Sequence, residues 1–273
     1  MNERSKGPDL GAIPLLSYLA ALAVAIDSIG GIWLPSTYAR ETPSWAAQGM
    51  GQDYVDLFFV VPLMLAVTFR AARGGRVALL VLGGLLGYLV YSFTLYAFCV
   101  HFNRLFLVYT AALGTSGYGL VLVALRLQKE RADIWFDLES PTRFPALYLI
   151  LTALVFYFLW LSEDLPALVQ GTYPKSLDEV GLPSNPVHVL DLGFTLPAMV
   201  LAGWALLKKR PFGYFFFPTV MTLCAVMAVA IGGMTVMMAM KGITTDLTIT
   251  WVFGGMALAD LAVLIHFLKR LRS

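Results

Sequence analysis

Two acid-bearing stretches, offset by 135 residues, carry the side chains best suited to chemistry. One runs Asn185-Pro-Val-His188-Val-Leu-Asp191-Leu-Gly-Phe-Thr-Leu-Pro197, the other Asp53-Tyr-Val-Asp56-Leu-Phe-Phe-Val-Val-Pro62. In register, Asp56 falls on Asp191, Leu57 on Leu192, Phe59 on Phe194, Pro62 on Pro197, and Asp53 on His188. Residues three apart share a helix face, so each stretch presents two ligand-type groups on one side. If the two helices face each other, Asp53, Asp56, His188 and Asp191 converge at one mouth. Three carboxylates and an imidazole suit a divalent cation of intermediate hardness such as Mn, Fe or Zn, as a bound ion or as a catalytic metal. They equally suit a proton-binding cluster, since crowded carboxylates drive one another's pKa values apart. The plainer alternative is that both pairs cap helix starts, where a carboxylate meets unpaired N–H groups and the positive end of the dipole.

Two more acids stand inside apolar runs. Asp260 lies nine residues from Lys269, about 13 Å at 1.5 Å per residue and so close to the midplane of a hydrocarbon core about 30 Å thick. Asp27 lies 14 residues from Ile13, about 21 Å by the same rise. A charged Asp at the centre of a span costs at least ~2.5–3.5 kcal/mol on insertion scales, so both must face a bundle interior. Either they relay protons or cations, or they are neutral acids hydrogen-bonded to a neighbouring helix. Asp27 precedes Ser28 and Gly30-Gly31, residues that loosen a helix.

The elements that must position these groups are membrane helices. Of 273 residues, 59% are hydrophobic and 13% charged, against about 25% charged in a soluble domain, and the mean hydropathy is +0.75. Apolar residues cluster in blocks near the roughly 20 residues a span requires. Eight are readable: Ile13–Leu34, Asp53–Phe69, Val77–Val100, Leu105–Leu125, Phe144–Ser162, Val187–Leu207, Phe212–Met240 and Leu247–Leu268. The first is too long for a signal-peptide core and lacks a cleavage site, so it reads as a retained helix. Fifteen of the 19 Lys and Arg fall on alternate connections that include both termini, which places the termini in the cytoplasm. Ten of the 17 carboxylates lie at or near the other side, giving an acidic outer surface that attracts cations.

The fold class expected is therefore an all-α integral membrane protein with eight transmembrane helices. These form two parallel four-helix repeats, residues 1–130 and 144–273, joined by a cytoplasmic linker at 131–143. Each half opens with a span closing on Leu-Pro (Leu34-Pro35, Leu165-Pro166), then a long outer loop (Pro35–Gln52, Pro166–Pro186), then the Asp-to-Pro helix and a basic inner turn. Four helices per half leave the halves in one orientation, with the repeat axis along the membrane normal. Trp135 and Phe136 of the linker are expected at the inner interface. Small-residue pairs Gly83/Gly87, Ala228/Gly232 and Gly255/Ala259 are expected to bring helices close.

Other chemistries find little footing. Cys99 and Cys224 form no C-x-x-C pair and read as buried apolar residues. No zinc motif, P-loop, dinucleotide fingerprint or nucleophile elbow is present. His101 and His188 match in depth, but each lies at a helix end, against a bis-His haem. The run Leu161–Pro197 resembles a segment of uncharacterised polytopic bacterial membrane proteins, and Ala97–Ser116 is similar to another part of the same group. The resemblance implies a multi-pass protein of the bacterial inner membrane and brings no activity or ligand.

Three functional readings follow. The first is a small proton- or cation-coupled transporter or permeability protein, with Asp53, Asp56, His188 and Asp191 at the outer vestibule and Asp27 and Asp260 on the deeper path. The second is a membrane-embedded enzyme acting on a lipid or isoprenoid at the outer Asp/His set. The third is a non-catalytic partner or receptor whose outer loops bind another protein. The expected partners are the bilayer and a small ion or small molecule, with no nucleic acid. Apart from a divalent cation at the outer side, no cofactor is expected.

Overall fold

The computed structural model describes residues 9–243 and 247–272; Arg4, Lys6 and Asp246, counted above, lie outside the described residues. In chain order the helices are α1 (Asp9–Trp33), α2 (Pro43–Val55), α3 (Val61–Ala72), α4 (Arg76–Cys99), α5 (Phe106–Gln128), α6 (Ala132–Trp135), α7 (Arg143–Gln170), α8 (Ser176–Val180), α9 (Pro186–Leu190), α10 (Leu196–Leu207), α11 (Pro211–Met240) and α12 (Leu247–Leu268). Wider π-helical turns at Asp56–Val60 and Asp191–Thr195 join α2 to α3 and α9 to α10. Among the described residues eight continuous stretches are long and apolar enough to cross a membrane. The chain is an all-helical, polytopic membrane protein.

Two boundaries differ from the sequence expectation. The second spanning stretch starts at Pro43, not Asp53, so most of the expected loop Pro35–Gln52 is helix. Thr42 caps it, its Oγ1 accepting from the Trp45 N–H, and Pro43 takes the first helical position, where its missing N–H costs nothing. The fifth stretch continues through Leu165-Pro166 to Gln170 and ends at Gly171, whose φ of 66° fits a left-handed C-cap. Leu34-Pro35, by contrast, does lie just beyond the end of α1.

The first four spanning stretches close into a bundle in which α1 packs along α5 and α3, and α4 along α3 and α5. In the second set α10 packs on α7 and α11, and α11 on α12, but the backbones of α7 and α12 approach each other at few points. The sets join through α11, which lies against α4 and α2. Glycines set these crossings. A Cβ on Gly84 would overlap Thr222 and the Thr219 carbonyl, and one on Gly51 would overlap the backbone of Gly233 and Met234. Gly83 and Gly87 meet Thr219 and Leu223 as expected, whereas Gly232 and Gly255 face open space. For those two the small-pair reading fails: the close approach on α11 falls one residue on, at Gly233.

The segment between the halves is tied to the chain's end. The Asp137 N–H donates to the Arg270 carbonyl, the Arg272 N–H to the Trp135 carbonyl, and Arg76 reaches the carbonyls of Ile134 and Arg272. Trp135 and Phe136, expected at an interface, are buried. Their rings pack edge-on against Phe215, and Phe136 also meets Tyr214 and Phe267. Burial under α11 and α12 gives these rings more apolar contact than a headgroup region offers.

Candidate functional site

Both motif stretches have the same local structure. Each π turn begins at the aligned aspartate, and the N–H five residues on closes it: Val61 to the Asp56 carbonyl, Leu196 to the Asp191 carbonyl. Pro62 and Pro197 follow at once. Proline removes a helical N–H and its ring clashes with the carbonyl four residues back. A π turn accommodates both, and such turns recur at functional sites. Helix capping falls to other residues: Thr42 caps α2, and Asn185 caps α9 by accepting from the N–H groups of Val187 and His188. The acids are therefore free of the capping role considered for them.

In the first bundle Asp53 and Asp56 are fully buried, as is Asp27. Asp53 accepts from the hydroxyls of Tyr38 at 2.6 Å and Tyr96 at 3.0 Å. Asp56 accepts from Tyr88 at 2.7 Å. The Asp53 carboxylate occupies the space a side chain at Gly31 would fill. Asp27 lies on the same face of α1, one turn earlier, within electrostatic reach of Asp53 and Asp56. Neither Asp27 oxygen has a hydrogen-bond partner among the described residues, nor do Asp56 Oδ2 and Ser28 Oγ. No Lys, Arg or His among the described residues is ion-paired with any of the three acids.

The second cluster lines a cavity of about 420 Å³ walled by α2 and α4 from the first set and by α7 to α12 from the second. Along α11 it reaches from Leu223 to Met238, about 22 Å at 1.5 Å per residue. Asp191 accepts from the Trp160 indole N–H at 2.9 Å, with the Tyr91 hydroxyl nearby. His188, nearly buried, holds Asp164 at 2.9 Å through Nδ1 and stacks on Trp160 with ring centroids 4.4 Å apart. Its Nε2 stands 4.0 Å from Glu163. Deeper in, Asp260 accepts from Tyr148 at 2.7 Å. Among the described residues four carboxylates, Glu163, Glu179, Asp191 and Asp260, face this cavity, and no Lys or Arg lines it. The rest of the wall is largely apolar and includes five methionines.

The four groups expected to converge are thus divided. His188 and Asp191 line the cavity, together with Asp260, while Asp53 and Asp56 turn into the first bundle beside Asp27. The reason is local: Gly31 on α1 makes room for Asp53, whereas Trp160 and Tyr91 draw Asp191 toward α7 and α4. Among the described residues no three His, Cys, Asp or Glu form a group that could hold a metal ion. His101, at the end of the first bundle, is held by Glu41 through both its N–H and its ring, at 2.8 and 3.0 Å.

The donors are not visible in the spacing of the acids. Tyr88 serves Asp56, and Tyr91 on the same helix stands near Asp191, so one helix brings a phenol to each of the two aligned aspartates. A signal was available: a Tyr inside an apolar helix needs a partner for its hydroxyl, and α4 carries Tyr88, Tyr91 and Tyr96. No family model, no curated protein and no solved structure matches the chain. Fold and sites together define a multi-pass helical membrane protein with two separate sets of acids, one buried in the first bundle and one lining the cavity.

Proposed function

We propose that the protein is a small membrane transporter coupled to protons or cations, with the cavity between its two sets of helices as the binding chamber. The observation that carries this reading is the chamber's content: carboxylates at both ends of a long apolar cavity, with no Lys or Arg lining it among the described residues. An intramembrane acid facing a cavity marks a pathway or a proton relay by default. Coupling is supported by Asp27, Asp53 and Asp56, three buried acids with no basic partner among the described residues. Such a group is tolerated in a low-dielectric interior only when protons or a bound cation offset its charge.

In this reading the halves are parallel repeats. The matched helix, π turn and proline support it, as does the packing of α4 on α11, the third spanning helix of each half. The basic face carries the linker and both terminal helices' ends, and the charge asymmetry favours the cytoplasm of a bacterial inner membrane. Proteoliposomes with a trapped pH-sensitive dye test the reading. Offered amines, amino acids and carboxylic acids in turn, the wild type should move protons in response to at least one class, and Asp260→Asn should not. An absence, for every class, of both solute-dependent proton movement and solute-dependent sodium uptake would overturn it.

A further inference from the structure

Charge is the first constraint on what the chamber holds. Among the described residues its four carboxylates come from α7, α8, the second π turn and α12, and its one imidazole is engaged by Asp164. A bound anion would face these acids at low effective dielectric, where like charges repel strongly. The second constraint is the wall. Trp45, Tyr91, Phe156 and Trp160 line it, and aromatic faces attract organic cations within about 6 Å of the ring centroid. Methionines, unbranched and polarizable, adapt to irregular apolar shapes. A small hydrated ion gains little from such surfaces. The volume falls within the roughly 300–1,000 Å³ typical of small-molecule sites.

The third constraint is the route. In the first bundle α1 and α5 pack along their length, but α7 and α12, which hold the corresponding places in the second, are bridged by side chains. These are Phe144 to His266, Tyr148 to Asp260, and Phe156 to Phe253, with ring centroids 6.2 Å apart in both aromatic pairs. Phe156, Phe253 and Asp260 also line the chamber, so side chains that bridge the two helices form part of its wall. The neighbouring residues Val155, Val252 and Trp251 are exposed on the outside, which on an apolar spanning helix is the lipid side.

We infer that the chamber takes a hydrophobic organic cation, an amine or onium group carrying apolar substituents, and admits it from the bilayer through the seam between α7 and α12. The inference rests on the chamber reading above, not on coupled transport. A compound of this kind dissolves in the membrane before it meets the protein, so a side entrance matches its chemistry.

Tetraphenylphosphonium and tetraphenylborate, alike in shape and opposite in charge, test it by equilibrium binding to the purified full chain with no gradient present. The phosphonium should bind saturably and at least tenfold more tightly than the borate. Asp191→Asn and Asp260→Asn, each made singly so that one folding failure does not decide the matter, should narrow that ratio, as should the more exposed Glu163→Gln. Equal binding of the two probes, or no saturable phosphonium binding, overturns the inference. For the route, Phe156→Cys/Phe253→Cys in a Cys99→Ser/Cys224→Ala background, joined by a short bis-thiosulfonate, should slow phosphonium association in nanodiscs more than tenfold against the unlinked protein. An unchanged rate overturns the side entrance. Phosphonium binding without any solute-dependent proton or sodium movement would leave this inference standing and remove the transporter reading; such movement driven by other solutes without phosphonium binding would do the reverse.

Discussion

The Tyr148 hydroxyl on α7 donates to Asp260 Oδ1 on α12 at 2.7 Å, across a seam where the two helix backbones approach each other at few points. Removing the donor alone leaves a buried carboxyl short of a partner, at about 1–3 kcal/mol, whereas replacing both partners by apolar groups is nearly neutral. Tyr148→Phe should therefore lower thermal stability in detergent, and Tyr148→Phe/Asp260→Leu should recover most of the loss. Strictly additive destabilisation in this double-mutant cycle would show that the two groups do not depend on each other.

Gly31 gives a sharper test of the first bundle. A Cβ there would overlap Asp53 Oδ2, the oxygen that Tyr38 holds. Overpacking of this kind costs about 1–3 kcal/mol. Gly114→Ala on α5 meets open space and should gain the helix propensity that Ala has over Gly, about 0.5–1 kcal/mol. Melting temperatures should rank Gly114→Ala above wild type above Gly31→Ala; a harmless Gly31→Ala would mean that Asp53 does not sit against α1.

The contact between the two sets of helices should respond one residue at a time on α11. Gly233 meets the side chain of Val55 and the backbone of Gly51, while Gly232 next to it meets nothing within 4 Å. Gly233→Ala must push α2 and α11 apart, because backbone cannot yield as a side-chain tip can. It should destabilise by about 1–3 kcal/mol, with Gly232→Ala neutral or slightly stabilising. Equal effects at the two positions in unfolding measurements would contradict the crossing described.

These contrasts also mark how far the sequence could be read. Eight membrane-length helices were legible because length and apolar composition are local properties. The start of α2 was not, since Pro43–Gln52 is rich in Ala, Gly and Gln, and that stretch packs against α11, far away in the chain. That Asp27 and Asp260 face inward was legible, because lipid excludes charge. Their surroundings were hidden: Tyr148 lies 112 residues from Asp260, and no periodicity reports such a pairing. The alignment of Asp53 with His188 suggested one shared site, yet matched motifs need not face each other. A glycine on α1 and an indole on α7 send them to different places.

Asp27 offers the last prediction, and it turns on what neutralises a carboxyl whose two oxygens lack any partner among the described residues. If a proton does so, the group is a plain desolvation cost, and an apolar side chain of similar size should improve the fold. Asp27→Leu should then raise stability by about 1–3 kcal/mol while abolishing solute-dependent proton movement, the trade expected where an acid is kept for activity. If a monovalent cation does so, the wild type gains RT ln(1 + [L]/Kd) from it. Its melting temperature should then rise with NaCl, against choline chloride at equal ionic strength, and Asp27→Leu should be insensitive to the ion and less stable than the salted wild type. The structure favours the first outcome, because Asp53 and Asp56 are already supplied with phenol donors from Tyr38, Tyr96 and Tyr88 rather than left open to a metal. A sodium-dependent melt lost in Asp27→Leu would reverse that preference and make Asp27, Asp53 and Asp56 a cation site.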